Sequence, residues 1–316
     1  LFGASDTSFT KTNLSANDEY CYFIKAIDVS GLRHSFSNII CQSTDYPKQP
    51  DVIYLSSVKA DFEDNNAQVI SLYVSDEPGI DIQGFIFEGS YPETAGYIDI
   101  GSVAYSGQSL ISFKDTSNHQ NSENFYRVQV IDGCGIRNNL SNQINNINLS
   151  LITDNEEARN TLLWNSAFGR EGDITGYRLY RLQNATGNIG SIVYEAGSSE
   201  NFYEDDLADF WQEDGEYCYA VQTIETNNPY IQDSSWSNMA CGTIKARVWV
   251  PNGFIINGSV PTFNPVFAYA DLSNYQMLIF DRSGTLLYST IDQNAGWDGT
   301  YKGSTVEQGA YVYLIE

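Results

Sequence analysis

The side chains with the most reactive chemistry are few and far apart in this sequence. Its only histidines, His34 and His119, lie in polar segments of different regions, and its five cysteines are spread along the chain. A Ser/His/Asp triad needs its base held beside the nucleophile, and a zinc site needs Cys or His ligands at short spacing. The sequence offers neither pattern. We therefore predict no catalytic residue, no metal site and no cofactor, and we do not expect an enzyme.

An internal repeat organises the first three quarters of the chain. The tetrapeptide Glu-Tyr-Cys-Tyr at positions 19–22 is followed by Ser37-Asn38, and the pattern returns 104 positions later, from Glu19 to Glu123. Alternating apolar residues in each copy predict a strand with one buried face. The residues assigned to these core faces are Tyr20, Tyr22, Ile24 and Ala26; Tyr126, Val128 and Val130; and Tyr217, Tyr219 and Val221.

Strands of this kind indicate an all-β fold. Short strands separated by frequent turns are typical of β-sandwiches, and the Trp164 strand, the Gly-Tyr-x-Leu-Tyr strand at 176–180 and the late Tyr-x-Tyr-x-Val strands resemble those of fibronectin type III modules. The resemblance implies tandem Ig-like β-sandwiches, with the C-terminal part of a module at 1–46, a second module at 47–150 and a third at 151–244. We expect the incomplete first copy to be poorly ordered or to pack on its neighbour, because a part-sandwich exposes half its core.

The cysteine positions follow the repeat. Four of them form equivalent pairs in the first and third copies, Cys21 with Cys41 and Cys218 with Cys241. In the middle copy both positions change together, to Phe125 and Asn145, as expected of a covalent pair. We predict two disulfides that link neighbouring strands opposite the tyrosine face and that form in an oxidising compartment; free buried cysteines are the alternative. We expect Cys134 to be an unpaired loop cysteine, with a reactive thiol or an intermolecular bridge as alternatives.

Charge and hydropathy exclude several partners. The formal charge of −24 repels phosphate backbones and anionic lipids, so no nucleic acid is expected. No apolar run is long enough to cross a bilayer, so the chain should not insert into a membrane by itself. The acidic segment Glu204-Asp205-Asp206 suggests cation-dependent adhesion as an alternative to a solvated surface, although no calcium-loop spacing is present.

From Val248 the pattern changes to closely spaced hairpins that carry four motifs. Alternating Tyr275, Met277 and Ile279, followed by Leu286 and Tyr288, predict two strands joined by a turn whose glycine adopts positive φ. We expect the Trp297 indole to pack on this small unit. The motifs are Val250-Pro251-Asn252-Gly253-Phe254, Phe280-Asp281-Arg282-Ser283-Gly284, Trp297-Asp298-Gly299-Thr300 and Gly309-Ala310-Tyr311-Val312-Tyr313.

These motifs, in this order, resemble the gliding-motility-associated C-terminal domain, the type B sorting domain of Bacteroidota type IX secretion substrates. The resemblance implies that residues 245–316 form a small β-sandwich that directs export to the cell surface. It further implies docking to a PorP/SprF-like outer-membrane protein and contact with type IX translocon components. The chain departs from the family pattern at 257–263, where an acidic loop is usual, and at Ser283, where Trp is usual. Family members continue past the last motif, so we expect the protein to extend beyond Glu316.

Three functional interpretations follow from this order of modules. The leading one is a cell-surface gliding adhesin of the SprB-like kind, in which tandem sandwiches form a stalk. The alternative is the stalk and sorting region of a secreted polysaccharide-degrading or proteolytic enzyme. A structural spacer without a ligand also fits the second and third modules. Surface glycans are a candidate partner, because Trp211, Trp236 and Trp249 could stack on sugars; core or interface packing is the competing explanation for each.

Overall fold

The computed structural model describes residues 7–316 except 65–66, 95, 118, 120 and 183–188. The described part contains antiparallel strands and one short 3-10 helix, and no α-helix. This confirms the all-β fold class.

The first module consists of a long hairpin. Strand β1 pairs with β4 and β2 pairs with β3; their bounds are β1 Glu19–Tyr22, β2 Lys25–Ile27, β3 His34–Phe36 and β4 Ile40–Ser43. The core face predicted here is wrong for this copy, because Tyr22 is 43% exposed and Ile24 74% exposed. No second sheet covers the hairpin among the described residues. Every residue of its four strands is exposed except Tyr20, which is partly buried. His34 lies at the start of β3 and not in a loop.

The second module is a sandwich of two sheets. One sheet has the order β5-β6-β9 and the other β11-β10-β7-β8, with β12 added to β10. Their facing sides bury Tyr126, Val128 and Val130, as predicted. The strands are β5 Ile53–Ala60, β6 Gln68–Val74, β7 Ile82–Ser90, β8 Ile98–Ala104, β9 Leu110–Asp115, β10 Phe125–Asp132, β11 Arg137–Leu140 and β12 Ile144–Asn145.

The third module repeats this topology, with sheets β13-β14-β17 and β16-β15-β18-β19. Tyr217, Tyr219 and Val221 are buried in its core with Trp164 and Tyr177, as the alternation predicts. The strands are β13 Leu149–Asp154, β14 Arg159–Trp164, β15 Asp173–Leu182, β16 Ser191–Gly197, β17 Phe202–Asp206, β18 Glu216–Thr226 and β19 Ala240–Thr243, with the 3-10 helix at Ala208–Phe210.

The repeated Ser-Asn dipeptide joins the two sheets of each sandwich. In the third module Ser237 Oγ accepts a hydrogen bond from the Val221 N–H, 2.9 Å away. The Asn238 amide accepts from the Leu149 N–H at 2.8 Å and donates to the Leu149 carbonyl at 2.9 Å. The second module repeats these contacts, from Ser141 to Val128 and from Asn142 to Leu55. The dipeptide therefore satisfies backbone groups at the edge of the opposite sheet.

Replacing Asn238 by alanine should destabilise the third module by about 2 kcal/mol, because it leaves both backbone groups of Leu149 without a partner in a buried setting. Hydrogen exchange of the β18 amides would measure the loss. Gln212→Ala, at an exposed amide in the same module, is the control and should change nothing. Equal protection in both variants would contradict the inter-sheet role.

Both predicted disulfides are present. Cys21 and Cys41 are bonded across β1 and β4, and Cys218 and Cys241 across β18 and β19. Each pair faces away from the tyrosines and links adjacent strands, as expected. Phe125 and Asn145 are cross-strand partners in the same way on β10 and β12. The middle copy therefore keeps the pairing but not the covalent bond.

The C-terminal domain contains a three-stranded sheet with the order β23-β22-β26 and two smaller ladders, β20-β21 and β24-β25. Tyr275, Met277 and Ile279 are buried as predicted. Leu286 begins the predicted second strand and is exposed, because a bulge opposite Phe280 shifts the register of β23. The strands are β20 Arg247–Trp249, β21 Val266–Ala268, β22 Met277–Phe280, β23 Leu286–Thr290, β24 Thr300–Tyr301, β25 Ser304–Thr305 and β26 Val312–Ile315.

Candidate functional site

Three of the four C-terminal motifs meet at one groove of about 630 Å³. Its walls come from the chain after β20, the turn before β24, and the approach to β26. The second motif contributes none of its own residues, and only the preceding Ile279 reaches the groove. The predicted residues that line it are Pro251, Asn252, Gly253, Phe254, Trp297, Gly299, Gly309, Tyr311 and Tyr313. We call this surface the motif groove.

Trp297 forms the floor of the motif groove and is 2% exposed. Its ring centroid lies 5.6 Å from that of Phe254 and 5.1 Å from that of Tyr311, so one indole contacts two other motifs. Its Nε1 donates to the Thr300 carbonyl at 3.0 Å, which satisfies the only polar atom of the indole. The indole thus packs on the small domain as predicted, and its burial holds the groove together.

The turn after Trp297 explains the Asp-Gly part of its motif. Asp298 Oδ1 accepts hydrogen bonds from the Thr300 hydroxyl at 2.8 Å and the Thr300 N–H at 2.9 Å. These bonds hold the pKa of Asp298 below its usual value. Gly299 has φ +78°, and a Cβ there would lie 2.7 Å from Ile256 Cδ1. A glycine is needed both for the backbone conformation and for the close approach of Ile256.

The second motif forms a separate turn between β22 and β23. Gly284 has the predicted positive φ, +86°. Asp281 Oδ1 accepts from the Ser283 hydroxyl at 2.6 Å and from the Thr285 N–H at 2.9 Å. Ser283, which stands where the family has Trp, is therefore a hydrogen-bond donor within the turn. Arg282 is exposed.

We expect the Asp281 carboxyl to titrate well below an ordinary aspartate. The hydrogen bonds from Ser283 and Thr285 lower its pKa to about 2. Because folding lowers this pKa, the ionised carboxylate stabilises the turn at any pH above the pKa that the carboxyl has in the unfolded chain. That stabilisation is lost as the pH falls towards 2. Carboxyl NMR of Ser283→Ala should show the Asp281 midpoint move up while that of Asp298 stays in place. A parental Asp281 midpoint at the ordinary value would contradict this assignment.

The motif groove is also lined by Ile255, Ile256 and Phe263, which the sequence motifs did not predict. Phe263 exchanges two backbone hydrogen bonds with Trp297, at 2.8 and 3.0 Å, and its ring lies 5.3 Å from Tyr313. The sequence did offer one indication of Phe263, because it lies in the segment 257–263, where the family has acidic residues. That segment folds into a tight turn in which Ile255 N–H donates to the Val260 carbonyl at 3.0 Å. An aromatic residue there packs inward and carries no charge.

The acidic segment at Glu204-Asp205-Asp206 is part of strand β17 and not a loop. Asp205 is buried and accepts from Arg181 Nη2 at 2.6 Å and from the Tyr219 hydroxyl at 2.7 Å. Its carboxylate is thus already neutralised by a partner within the module. This geometry does not support cation-dependent adhesion at that segment.

The remaining reactive groups are dispersed across the described residues. His119 stacks on Tyr91 with ring centroids 4.0 Å apart, and its Nδ1 lies 2.8 Å from Glu93. Cys134 is free and exposed. Within the described ranges the single three-residue cluster of metal-ligand type includes Cys21 and Cys41, whose sulfurs are bonded to each other. That bond leaves no thiolate for a metal ion.

The three tryptophans considered for sugar stacking differ in setting. Trp236 packs against Tyr180 and Phe62, with ring centroids 5.1 and 6.2 Å away, so interface packing accounts for it. Trp211 is partly exposed, and its carbonyl accepts from the Tyr269 N–H at 2.8 Å. Trp249, at 54% exposure, has the most open surface of the three.

Fold and site together define a protein of tandem β-sandwiches followed by a small β-domain with an aromatic groove. Residues 248–316 match the sequence model of the CHU_C type IX secretion signal domain. This agrees with the family recognised from the motifs. No curated protein matches the chain.

Two solved structures show weak overall similarity. The FN1-FN3 domains of chicken CNTN1 align with 12% identity and TM-score 0.23, over 71% of this chain and 77% of that one. A tetra-tandem repeat from the extending region of a large adhesion protein aligns with 15% identity and TM-score 0.26, over 95% and 77%. At these TM-scores, neither structure supports an inference about the function of this chain. The fibronectin-like sandwiches are instead evident from the chain's own sheet orders.

The secretion signal implies export to the cell surface or the extracellular space. Among the described residues, no helix has the length and apolar character that a membrane span requires. The chain therefore combines a secretion signal with fibronectin-like modules.

Proposed function

We propose that this chain belongs to a cell-surface gliding adhesin of Bacteroidota, whose C-terminal domain directs type IX export and then docks to a PorP/SprF-like outer-membrane protein. The match of residues 248–316 to the secretion signal carries the export part of this proposal. The modules before the signal contain two disulfides, which are stable in an oxidising environment. This supports the proposal that these modules form a stalk outside the cell.

Export is tested by truncation of the full-length protein in its native cell. Deleting the chain from Val248 onward should leave a fused reporter inside the cell, whereas the intact fusion reaches the surface. Normal surface delivery of the truncated fusion would refute the signal role.

The length and content of the full open reading frame separate an adhesin from an enzyme stalk, since long repetitive sequence favours the former and one catalytic domain the latter.

The motif groove is the proposed docking surface. It is lined by aromatic and aliphatic side chains, and Ile256 and Tyr313 are exposed at its rim. Buried apolar anchors of this kind dominate the energetics of stable interfaces. Ile256→Asp should therefore reduce recovery of the outer-membrane barrel when the protein is purified from its native membrane.

Ile291→Asp is the matched control, because Ile291 is an exposed isoleucine of the same domain outside the motif groove. Both variants must retain the melting temperature of the parent. Loss of the barrel from Ile256→Asp alone supports docking through the groove. Equal recovery from both variants would exclude the groove, and absence of the barrel from the parental sample would exclude this partner.

A further inference from the structure

The second and third modules are joined by much more than a linker. Two segments of the third module extend over the second: residues 165–172, between β14 and β15, and residues 227–236, which follow β18. Residues 165–172 contact the first residue of β10, the strand β12 and the strand β5. Residues 227–236 contact β5. We call these contacts the module junction. Flexible linkers and relative motion are the usual expectation for tandem domains, so the contacts need an explanation.

Trp236 makes the sheets of the two modules continuous. Its N–H donates to the Val58 carbonyl at 3.2 Å and its carbonyl accepts from the Ala60 N–H at 3.1 Å, so it pairs with β5 of the second module. The same residue forms a bridge with Gln222 on β18 of the third. The edge of β5 is thus covered by the following module instead of remaining open.

Asp233 provides a charged contact at the same edge. Its carboxylate accepts from Lys59 Nζ at 2.6 Å, from the Ser57 hydroxyl at 2.6 Å and from the Ser56 hydroxyl at 3.1 Å. All three donors belong to β5, and the Asp233 side chain is only 18% exposed. Hydrogen bonds to a partly buried carboxylate are stronger than those between neutral groups.

Arg170 reaches the same strand from the other segment. Its Nη1 donates to the Ser56 carbonyl at 2.6 Å, and its Nη2 donates to the Ser235 hydroxyl. The preceding Gly169 carbonyl accepts from Asn142 Nδ2 at 2.8 Å. One guanidinium therefore ties both segments of the third module to β5.

The positions that hold a disulfide in the other two copies have a different role in the second module. Asn145 Oδ1 accepts from the Phe168 N–H at 2.8 Å, and its Nδ2 donates to the Ser166 carbonyl at 2.9 Å. Phe125 makes an edge-to-face contact with Phe168, with ring centroids 6.0 Å apart. A disulfide at these positions would supply neither the amide nor the ring.

We propose that the second and third modules form one rigid unit, and that Phe125 and Asn145 replace a disulfide because they bind the following module. The interaction surface is the β5 edge together with the β10 and β12 ends, and its partner is the third module of the same chain. Such a unit holds its ends at a fixed separation. This proposal is independent of the export signal.

Distance measurements between the modules test the proposal in the full chain. Spin labels on the exposed Cys134 of the second module and on Ser198→Cys of the third should give a narrow distance distribution. The double variant Arg170→Ala/Asp233→Ala should widen it about twofold, as independent domains move relative to each other. The control Arg178→Ala/Glu195→Ala removes an exposed ion pair within the third module and should leave the width unchanged.

Hydrogen exchange of β10 and β18 verifies that both cores are intact in every variant. If the double variant loses core protection, Lys59→Ala replaces it, since this change removes a single partner of Asp233, and it should also widen the distribution. A broad distribution in the parental protein would overturn the proposal. A distribution that stays narrow in a folded junction variant would overturn the assignment to these contacts.

Discussion

Trp297→Ala should unfold the C-terminal domain and stop export of the protein. The indole is almost fully buried and contacts Phe254 and Tyr311, so its removal takes away the floor on which the motif groove is built. Truncating a buried aromatic to alanine costs about 3 to 5 kcal/mol, which is a large fraction of the stability of a small domain. Thermal unfolding of the purified chain and surface labelling of cells would record the two effects.

Trp249→Ala is the matched control in the same domain. Trp249 is largely exposed, so its truncation should cost less than about 1 kcal/mol and leave export intact. Export of the Trp297 variant at the normal level, despite an unfolded domain, would show that the folded groove is not needed. Loss of export in both variants would point to a direct role of Trp249.

Gly169→Ala should destabilise the module junction by about 3 kcal/mol. Gly169 has φ +75°, a conformation that costs other residues about 1 kcal/mol. A Cβ would also overlap the carbonyl oxygen of Gln143 in the second module, and such overpacking typically costs about 1 to 3 kcal/mol. This overlap is relieved only if the second and third modules move apart. Calorimetry of the full chain should show a lower transition temperature for both modules.

Gly107→Ala separates the two contributions. Gly107 has a similar φ of +88° but no atom within 4 Å of the position of a Cβ, so only the backbone cost of about 1 kcal/mol applies. A larger loss for Gly169→Ala than for Gly107→Ala supports a tight junction. Equal losses would mean that the modules separate at little cost.

Local patterns were sufficient to predict the interiors of the sandwiches. The alternation around Tyr126 and Tyr219 identified their core faces, because a strand exposes successive side chains to opposite sides. The matched positions of the cysteines predicted both disulfides. The same alternation was wrong around Tyr22, since burial also needs a facing sheet, which the described first module lacks.

Contacts between modules could not be predicted in this way. Core or interface packing was considered for Trp236 beside sugar stacking, but nothing in its sequence neighbourhood indicates that it pairs with β5. Asn145 was interpreted only as the loss of a disulfide, although its amide binds residues 166–168. Both roles depend on how two modules approach each other. A periodic pattern within one module does not contain that information.

The motifs of the C-terminal domain did not predict where their residues meet in the fold. The Trp-Asp-Gly, Pro-Asn-Gly-Phe and Gly-x-Tyr-Val-Tyr segments converge on the motif groove, whereas the Asp281 turn lies apart from it. The contribution of Phe263 was not predicted, because its isolated β-bridge with Trp297 joins segments distant in sequence. The exposed face of Leu286 could not be predicted, because it depends on a bulge between β22 and β23.

We expect the C-terminal domain by itself to be sufficient to direct export. The most direct test of this expectation is a reporter fused to the native sequence from Lys245 to the end of the full-length protein, produced in a cell with a working type IX system. Surface labelling should find the reporter outside the cell, and the same fusion carrying Trp297→Ala should remain inside. Retention of the parental fusion within cells that still export the native protein would contradict the account.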